Sequence, residues 1–328
     1  MIKRVLFFFI ILSVGILLFG YNQSTNFKNQ GDLLVKQGRV GEAIILYNKA
    51  RSIFPLRSDV TDNLEAANLI LQSDLTYETI SDLDFAEVQI APALPAIGAL
   101  QPNEVFVPIL MYHHIDVNPK PEDPVWASLF VTSDQLNSQL EYLTAHGYTS
   151  ITLDELYAAL NNKATLPKQP IVLTFDDGYR TFYTNAYPLL KKYNVKATEF
   201  VITQVEGAPA YLTWDQILEM DKSGLVRFGA HTRHHPNLPD LSQTSIINEV
   251  QGSKSDLEDH LKKEITWFAY PYGGYTNSVV EVVRNAGFKG AVSTIYGAGQ
   301  SSSKLYIEPR IMVDGRYSLA NFIARIQK

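Results

Sequence analysis

Apolar runs five to eight residues long alternate with helix-like stretches from about residue 104 to the end of the chain. Runs of this length, rich in β-branched and aromatic residues, are typical of buried strands. The strand candidates, in chain order, are VFVPILMY, YTSIT, PIVLTF, ATEFVIT, LVRFGA, TWFAY, KGAVSTI and IEPRIMV.

Helical periodicity separates most of these runs. After Ser133, which we expect to cap a helix, Leu136, Leu140 and Leu143 fall on one face. Another helix should begin near Thr276. Repeated strand–helix units with apolar strands predict an α/β fold, in which a parallel sheet is covered by helices and is either open or closed into a barrel. Functional side chains of such folds lie just after the strands.

The first 22 residues have a different pattern. Lys3 and Arg4 precede an apolar run at 5–20, as in an export signal. Because no clear cleavage site follows, we expect this segment (1–22) to be kept as a membrane anchor rather than removed. Either way, the rest of the protein is expected to be extracytoplasmic, anchored at its N-terminus or secreted.

Residues 24–75 resemble a single tetratricopeptide repeat followed by a covering helix. Small and aromatic residues recur at that repeat's spacing, namely Gly31, Gly38, Ala43, Tyr47, Ala50 and Pro55. This helical module either docks a protein partner or braces the main domain. Residues 76–103, rich in Ala and Pro, read as a linker. The main domain is then expected at 104–328.

The amino-acid composition excludes several kinds of partner and functional site. The net charge of −6, without a basic cluster in the globular part, argues against nucleic acid as a partner. The chain has no cysteine, so a thiolate metal site and a cysteine nucleophile are both excluded. Any bound metal must be held by histidine and carboxylate groups.

The first motif is TFDDGY at 174–179, directly after the run PIVLTF. Asp176 and Asp177 would raise each other's pKa unless a cation lies beside them. A metal could bind one carboxylate and leave the other as a base. Read alone, the motif is equally compatible with an ordinary turn before a helix.

The second motif, HTRHH at 231–235, follows the run LVRFGA. His231 and His235 are four residues apart, so a tight loop can present both imidazoles on one side. Two histidines and a carboxylate leave a fourth metal position open for water, as catalytic zinc sites require. Thr232 can hydrogen-bond the loop backbone, and His234 should point away.

The third motif, FAYPYGG at 268–274, would form a rigid turn after a strand. A backbone N–H group there, that of Tyr272, could stabilise a developing oxyanion.

Together and in this order, TFDDGY, HTRHH and YPYG resemble the polysaccharide deacetylase family of carbohydrate esterases, the NodB-homology domain. The resemblance covers about residue 105 to the C-terminus. It implies a distorted (β/α) barrel and one divalent metal ion, expected to be Zn²⁺. It assigns Asp177, His231 and His235 as metal ligands, Asp176 as the catalytic base and Tyr272 as the oxyanion contact.

Two departures from that family matter. Many members have an arginine where this chain has Ala269, and a late histidine as general acid, whereas no histidine follows Lys263 here. The sequence Tyr112-His113-His114 instead resembles the poly-N-acetylglucosamine deacetylase subgroup, in which an early histidine takes that role. We therefore expect His113, or less favourably His114, as the acid.

Two further side chains are candidates for support. Arg310 could pair with Asp176 in place of the missing arginine, although a purely structural salt bridge would look the same. Trp214 could line the sugar groove, and Asp215 could cap the helix that starts there.

The expected activity is metal-dependent hydrolysis of N-acetyl groups from an extracytoplasmic polysaccharide. Poly-β-1,6-N-acetylglucosamine is the favoured substrate, followed by peptidoglycan and chitin-type oligomers. The rival of another class is a non-catalytic glycan-binding protein on a deacetylase scaffold, which would need neither a base nor a complete metal set.

Overall fold

The computed structural model describes residues 25–33, 100–101, 103–120, 123–205 and 208–327. The chain divides into two units, Met1–Pro95 and Ala96–Lys328. In the first unit, residues 25–33 are helical. The predicted anchor, most of the tetratricopeptide-like module and most of the linker lie outside the described residues, so they stay predictions. No helix in the described ranges is both long and apolar enough to cross a membrane.

Twelve strands are assigned within the described part of the second unit. They are β1 (Val105–Phe106), β2 (Ile109–Tyr112), β3 (His114–Ile115), β4 (Phe130–Val131), β5 (Thr149–Ser150), β6 (Pro170–Phe175), β7 (Ala197–Val201), β8 (Val226–Ala230), β9 (Trp267–Ala269), β10 (Gly290–Tyr296), β11 (Gly299–Gln300) and β12 (Glu308–Met312).

Seven of these strands close into a parallel barrel. Their order is β2-β12-β10-β9-β8-β7-β6, and the additional pairing of β2 with β6 closes the ring. Strand β5 extends the sheet beside β6. The predicted (β/α) barrel is therefore confirmed, and the carboxyl ends of its strands meet at one face.

Helices cover the outside of the barrel. Counted from the start of the second unit, they are α1 (Pro124–Leu129), α2 (Ser133–Ala145), α3 (Leu153–Leu160), α4 (Tyr187–Tyr193), α5 (Trp214–Lys222), α6 (Gln243–Leu261), α7 (Asn277–Asn285) and α8 (Leu319–Ile326). A π-helical segment, Phe182–Ala186, precedes α4.

Successive side chains of the strands point to opposite faces of the sheet, and they form two hydrophobic cores. Side chains such as Val172, Phe200 and Trp267 fill the barrel interior. Neighbouring positions such as Leu173 pack outward against the helices, where the predicted apolar face of α2 is buried. Burying one such leucine side chain stabilises the fold by roughly 1.5–3 kcal/mol.

Two predicted helix caps are wrong by one or two residues. Thr132, not Ser133, caps α2, because Thr132 has an extended backbone and its hydroxyl accepts the Gln135 amide at 3.2 Å. Thr213, not Asp215, caps α5 in the same way. Asp215 lies in the first turn of α5, where its negative charge faces the positive end of the helix dipole.

The run VFVPILMY is two strands rather than one. Strand β1 pairs antiparallel with β11, and β2 enters the barrel. Pro108, which has no N–H to give to a ladder, lies between them. The break allows the chain to switch from one sheet to the other.

Candidate metal centre and active site

Three side chains meet at the carboxyl ends of β6 and β8. Asp177 Oδ1 lies 3.3 Å from Nε2 of both His231 and His235, and the two Nε2 atoms are 3.2 Å apart. Ligands held 2.0–2.1 Å from a tetrahedral ion are separated by about 3.3 Å. This donor triangle therefore fits a divalent cation such as zinc, with three protein ligands and one open position.

The imidazoles are oriented for this role. His231 Nδ1 donates a hydrogen bond to the Ala269 carbonyl at 2.8 Å, which leaves Nε2 as the nitrogen that faces Asp177. Burial and the neighbouring His231 lower the pKa of His235 to about 4, so that ring is neutral at pH 7. A neutral imidazole offers the lone pair that a metal needs.

Protons compete with a cation for this site. Burial lowers the pKa of His231, but the hydrogen bond with Asp177 and the charges of Asp176 and Asp177 together raise it above its ordinary value. Burial raises the pKa of Asp177, but the His231 hydrogen bond and the surrounding imidazole charges lower it well below its ordinary range. Asp177 is therefore ionised, and binding of a cation would compete with protonation of His231.

The candidate ligands lie on turns with unusual backbone geometry. Asp177, Thr232 and His235 have φ angles of +81°, +66° and +58°, in the left-handed region that residues with a Cβ rarely adopt. As the sequence predicts, Thr232 stabilises its loop. Its hydroxyl accepts the His235 amide at 2.9 Å and donates to the His231 carbonyl at 2.5 Å.

Asp176 faces the barrel interior, where Arg310 of β12 pairs with it. The two guanidinium nitrogens donate to the two carboxylate oxygens at 2.8 and 2.7 Å. Arg310 also donates to the Ser293 carbonyl at 2.8 Å and the Thr174 hydroxyl at 3.0 Å. Burial raises the pKa of Asp176, but the Arg310 charge and hydrogen bonds lower it more, so the carboxylate is ionised at neutral pH.

Several known proteins resemble this chain in sequence and in fold. Residues 163–291 match the family model described as polysaccharide deacetylase. A Staphylococcus aureus poly-beta-1,6-N-acetyl-D-glucosamine N-deacetylase is 34% identical over 196 residues, which are 56% of this chain and 67% of the relative. The Streptococcus pyogenes deacetylase PplD, solved with acetate, is 35% identical with a TM-score of 0.64, covering 69% of this chain and all of that one.

The chain belongs to the polysaccharide deacetylase family. A third solved relative, IcaB from Ammonifex degensii, is 26% identical with a TM-score of 0.61 and covers 70% of this chain and 99% of that one.

The two candidate acids of the deacetylase follow its first barrel strand, β2, and have different surroundings. The His114 ring is sandwiched between Phe130 and Tyr179, at centroid distances of 4.0 and 3.6 Å. Burial lowers the pKa of His114 to about 4, so the ring is neutral at pH 7 and lacks the acidic proton of an imidazolium ion. His113 is partly exposed, and its positive charge lowers the pKa of both Asp176 and Asp177. The assignment of His113 as the acid stays a prediction.

Tyr272 lies beside one of the three candidate metal ligands, His235. Its ring contacts that of His235 at a centroid distance of 4.5 Å and is 70% exposed. Tyr272 and Gly273 have φ angles of +57° and +67°. Trp214 is stacked on His260 of α6, with centroids 3.7 Å apart. The groove-lining role of Trp214 stays a prediction.

Glu199 is a site residue that the sequence reasoning missed. It is fully buried on β7, and its Oε1 accepts the Gly178 amide at 2.9 Å. Burial and the charges of Asp176 and Asp177 raise the pKa of Glu199 well above its ordinary value. The available signal was a carboxylate within an otherwise apolar strand, ATEFVIT, next to the strand that carries the two aspartates.

Proposed function

We propose that this deacetylase hydrolyses N-acetyl groups of an extracytoplasmic, N-acetylglucosamine-containing polysaccharide and releases acetate. One divalent cation, zinc, would be held by Asp177, His231 and His235. The observation that carries the proposal is the 3.2–3.3 Å donor triangle next to an ionised, arginine-bound Asp176. A protein that only binds glycans needs neither group.

A cation in this donor set supplies Lewis acidity toward a water molecule and toward the acetamide carbonyl. The chain's own residues move the protons. Asp176 accepts a proton from the attacking water, because its lowered pKa keeps it ionised. Arg310 fixes the direction of the Asp176 carboxylate through two hydrogen bonds. The Tyr272 amide would donate to the carbonyl oxygen as negative charge develops there.

An amine leaves only when its nitrogen is protonated. His113 would deliver that proton as the carbon–nitrogen bond breaks, which gives acetate and a free amino sugar. An imidazole can both donate a proton and take one up again from solvent near neutral pH. The stacked and neutral ring of His114 supports the choice of His113 over His114.

Poly-β-1,6-N-acetylglucosamine is the favoured polymer. Support comes from the 34% identical staphylococcal relative, whose name specifies that substrate, and from the Tyr112-His113 signature. Peptidoglycan is the alternative. The proposal includes membrane attachment or export through residues 1–22 and a possible protein partner at the helical module of residues 24–75.

Acetate release by the purified protein tests this function. Oligomers of β-1,6-linked N-acetylglucosamine, peptidoglycan and chitin oligomers are compared, each with and without a chelator. We expect release that stops with the chelator and returns with zinc, fastest on the β-1,6-linked oligomers. Absence of release from all three polymers by zinc-loaded protein would favour the glycan-binding alternative.

The acid assignment is tested in the same assay. His113→Gln should lower kcat by about 100-fold or more, while the protein keeps its metal. His146→Gln is the matched control. His146 is an exposed imidazole at the end of α2, and its hydrogen bond to the Tyr142 carbonyl and its stacking on the Tyr142 ring both stay within that helix. Equal activity of the His113 variant and this control would move the acid role elsewhere.

A further inference from the structure

Glu249 of α6 holds the turn that carries the two histidine ligands. Its Oε2 accepts the consecutive main-chain amides of Arg233 and His234, at 2.9 and 3.0 Å. Its Oε1 accepts a hydrogen bond from Nδ1 of His234 at 2.7 Å. Three donors of one short loop thus converge on a single carboxylate, whose side chain is only 14% exposed.

The opposite turn has an equivalent contact. Glu199 of β7 accepts the amide of Gly178, the residue directly after the ligand Asp177. In both turns a carboxylate from a neighbouring element binds main-chain N–H groups within two residues of a ligand, and neither carboxylate belongs to the donor triangle.

These turns need external support because their backbones are strained. A non-glycine residue in the left-handed region costs about 1–2 kcal/mol. The histidine loop contains two such residues, Thr232 and His235, and the aspartate turn contains Asp177. Strained conformations persist only where the surroundings over-determine them.

A second ion pair fastens the histidine loop to the same helix. Arg233 donates to both oxygens of Asp256, at 2.8 and 3.0 Å. Its guanidinium passes so close to Gly252 that a Cβ at that position would overlap it. Helix α6 therefore acts as a rigid support along which Glu249 and Asp256 bind successive parts of the loop.

We propose that Glu199 and Glu249 are positioning residues that hold the two ligand-bearing turns in the left-handed geometry that a divalent cation requires. This inference rests on the proposed function, because it assumes that the donor triangle binds a metal. The hydrogen bonds to main-chain amides, rather than contact with the ion, give both residues their effect. Removing either acceptor should let the turn relax toward unstrained φ angles and separate the ligand atoms.

Zinc affinity without substrate tests the inference. The zinc dissociation constant of the full chain is measured by competition with a chromophoric chelator, and the unfolding midpoint of the metal-free protein is measured beside it. Glu249→Ala and Glu199→Leu should weaken zinc binding by about 10–100-fold, the effect typical of lost outer contacts to metal ligands. Glu249→Gln and Glu199→Gln keep an acceptor oxygen and should retain most of the affinity.

Glu258→Ala is the matched control. Glu258 lies on the same helix, pairs with Lys254 and also accepts a main-chain amide, that of Ile265, at 3.0 Å. Its loss should lower the unfolding midpoint without changing the zinc dissociation constant. Unchanged affinity in Glu249→Ala, or equal losses in the Ala and Gln variants, would overturn the positioning role. Wild-type protein that binds no zinc would contradict the proposed metal centre itself.

Discussion

The Asp176 carboxylate is bound by one fully buried side chain, Arg310, which reaches it from β12 past the intervening strand β2. A buried carboxylate stays ionised only if its partner compensates for the lost water. The sequence suggests this pair, because Ala269 stands where many relatives have an arginine and Arg310 lies on the last predicted strand. Its two-bond geometry was not predictable, because it depends on which strands are neighbours in the closed barrel.

Replacing Arg310 with Met should remove this compensation. Because Arg310 lowers the pKa of Asp176, its loss should raise that pKa, and the acidic limb of the kcat/KM profile should shift to higher pH. Breaking one side of a buried ion pair should also lower the free energy of unfolding by about 3–5 kcal/mol at pH 7.

Arg310→Lys is the companion variant, since it keeps the charge but loses the paired donors. Its acidic limb should lie between those of the wild type and the Met variant. An acidic limb that is unchanged in Arg310→Met would show that Arg310 does not set the ionisation of the base.

At the scale of elements, the turn after β9 shows what the sequence can and cannot predict. The residues Pro271, Gly273 and Gly274 predict a tight turn, and the structure has a short 3-10 turn there. The left-handed conformation of Tyr272 was not predictable, because it depends on packing of the turn against β10. Gly273 approaches Thr294 of β10, so a Cβ there would lie 2.9 Å from the Thr294 Cβ atom.

Gly273→Ala should therefore displace the turn and the Tyr272 amide. We expect a loss of activity of about 100-fold, as for a misplacement of about 1 Å near the reacting atoms. The variant should keep its zinc, since the metal ligands lie on other turns. Activity and zinc content of the same preparation are measured together.

Gly287→Ala is the control for backbone conformation. Gly287 also has a positive φ, +84°, but no heavy atom of the described residues lies within 4 Å of its added Cβ. It should lose only about 1 kcal/mol of stability and keep its activity. Comparable activity in the two alanine variants would contradict the close-packing argument.

At the scale of the molecule, the barrel brings together groups from distant parts of the chain. The candidate metal ligands follow β6 and β8, the partner of the candidate base Asp176 lies on β12, and the candidate oxyanion donor follows β9. The alternation of strands and helices predicts a parallel sheet but not its closure, which depends on pairing between β2 and β6. The prediction of a closed barrel rather than an open sheet came from the family resemblance.

Strand β12 also places a second charged side chain inside the barrel. Glu308 is fully buried, and burial raises its pKa to about 8. A charged residue in a predicted apolar strand suggests an exposed face, so its burial was not predictable. Because of this raised pKa, the folded protein binds the Glu308 proton more tightly than the unfolded chain does. The contribution of Glu308 to the free energy of unfolding falls as the pH rises from about 4.5 toward 8.

Zinc content of the purified protein tests the central claim most directly. Wild-type protein and the Asp176→Asn and Asp177→Ala variants are purified without chelator and measured by elemental analysis, with folding checked by circular dichroism. The donor triangle predicts a single zinc equivalent per chain in the wild type and in Asp176→Asn, and loss of zinc in Asp177→Ala. A metal-free wild type, or a full equivalent of zinc in folded Asp177→Ala, would contradict the account.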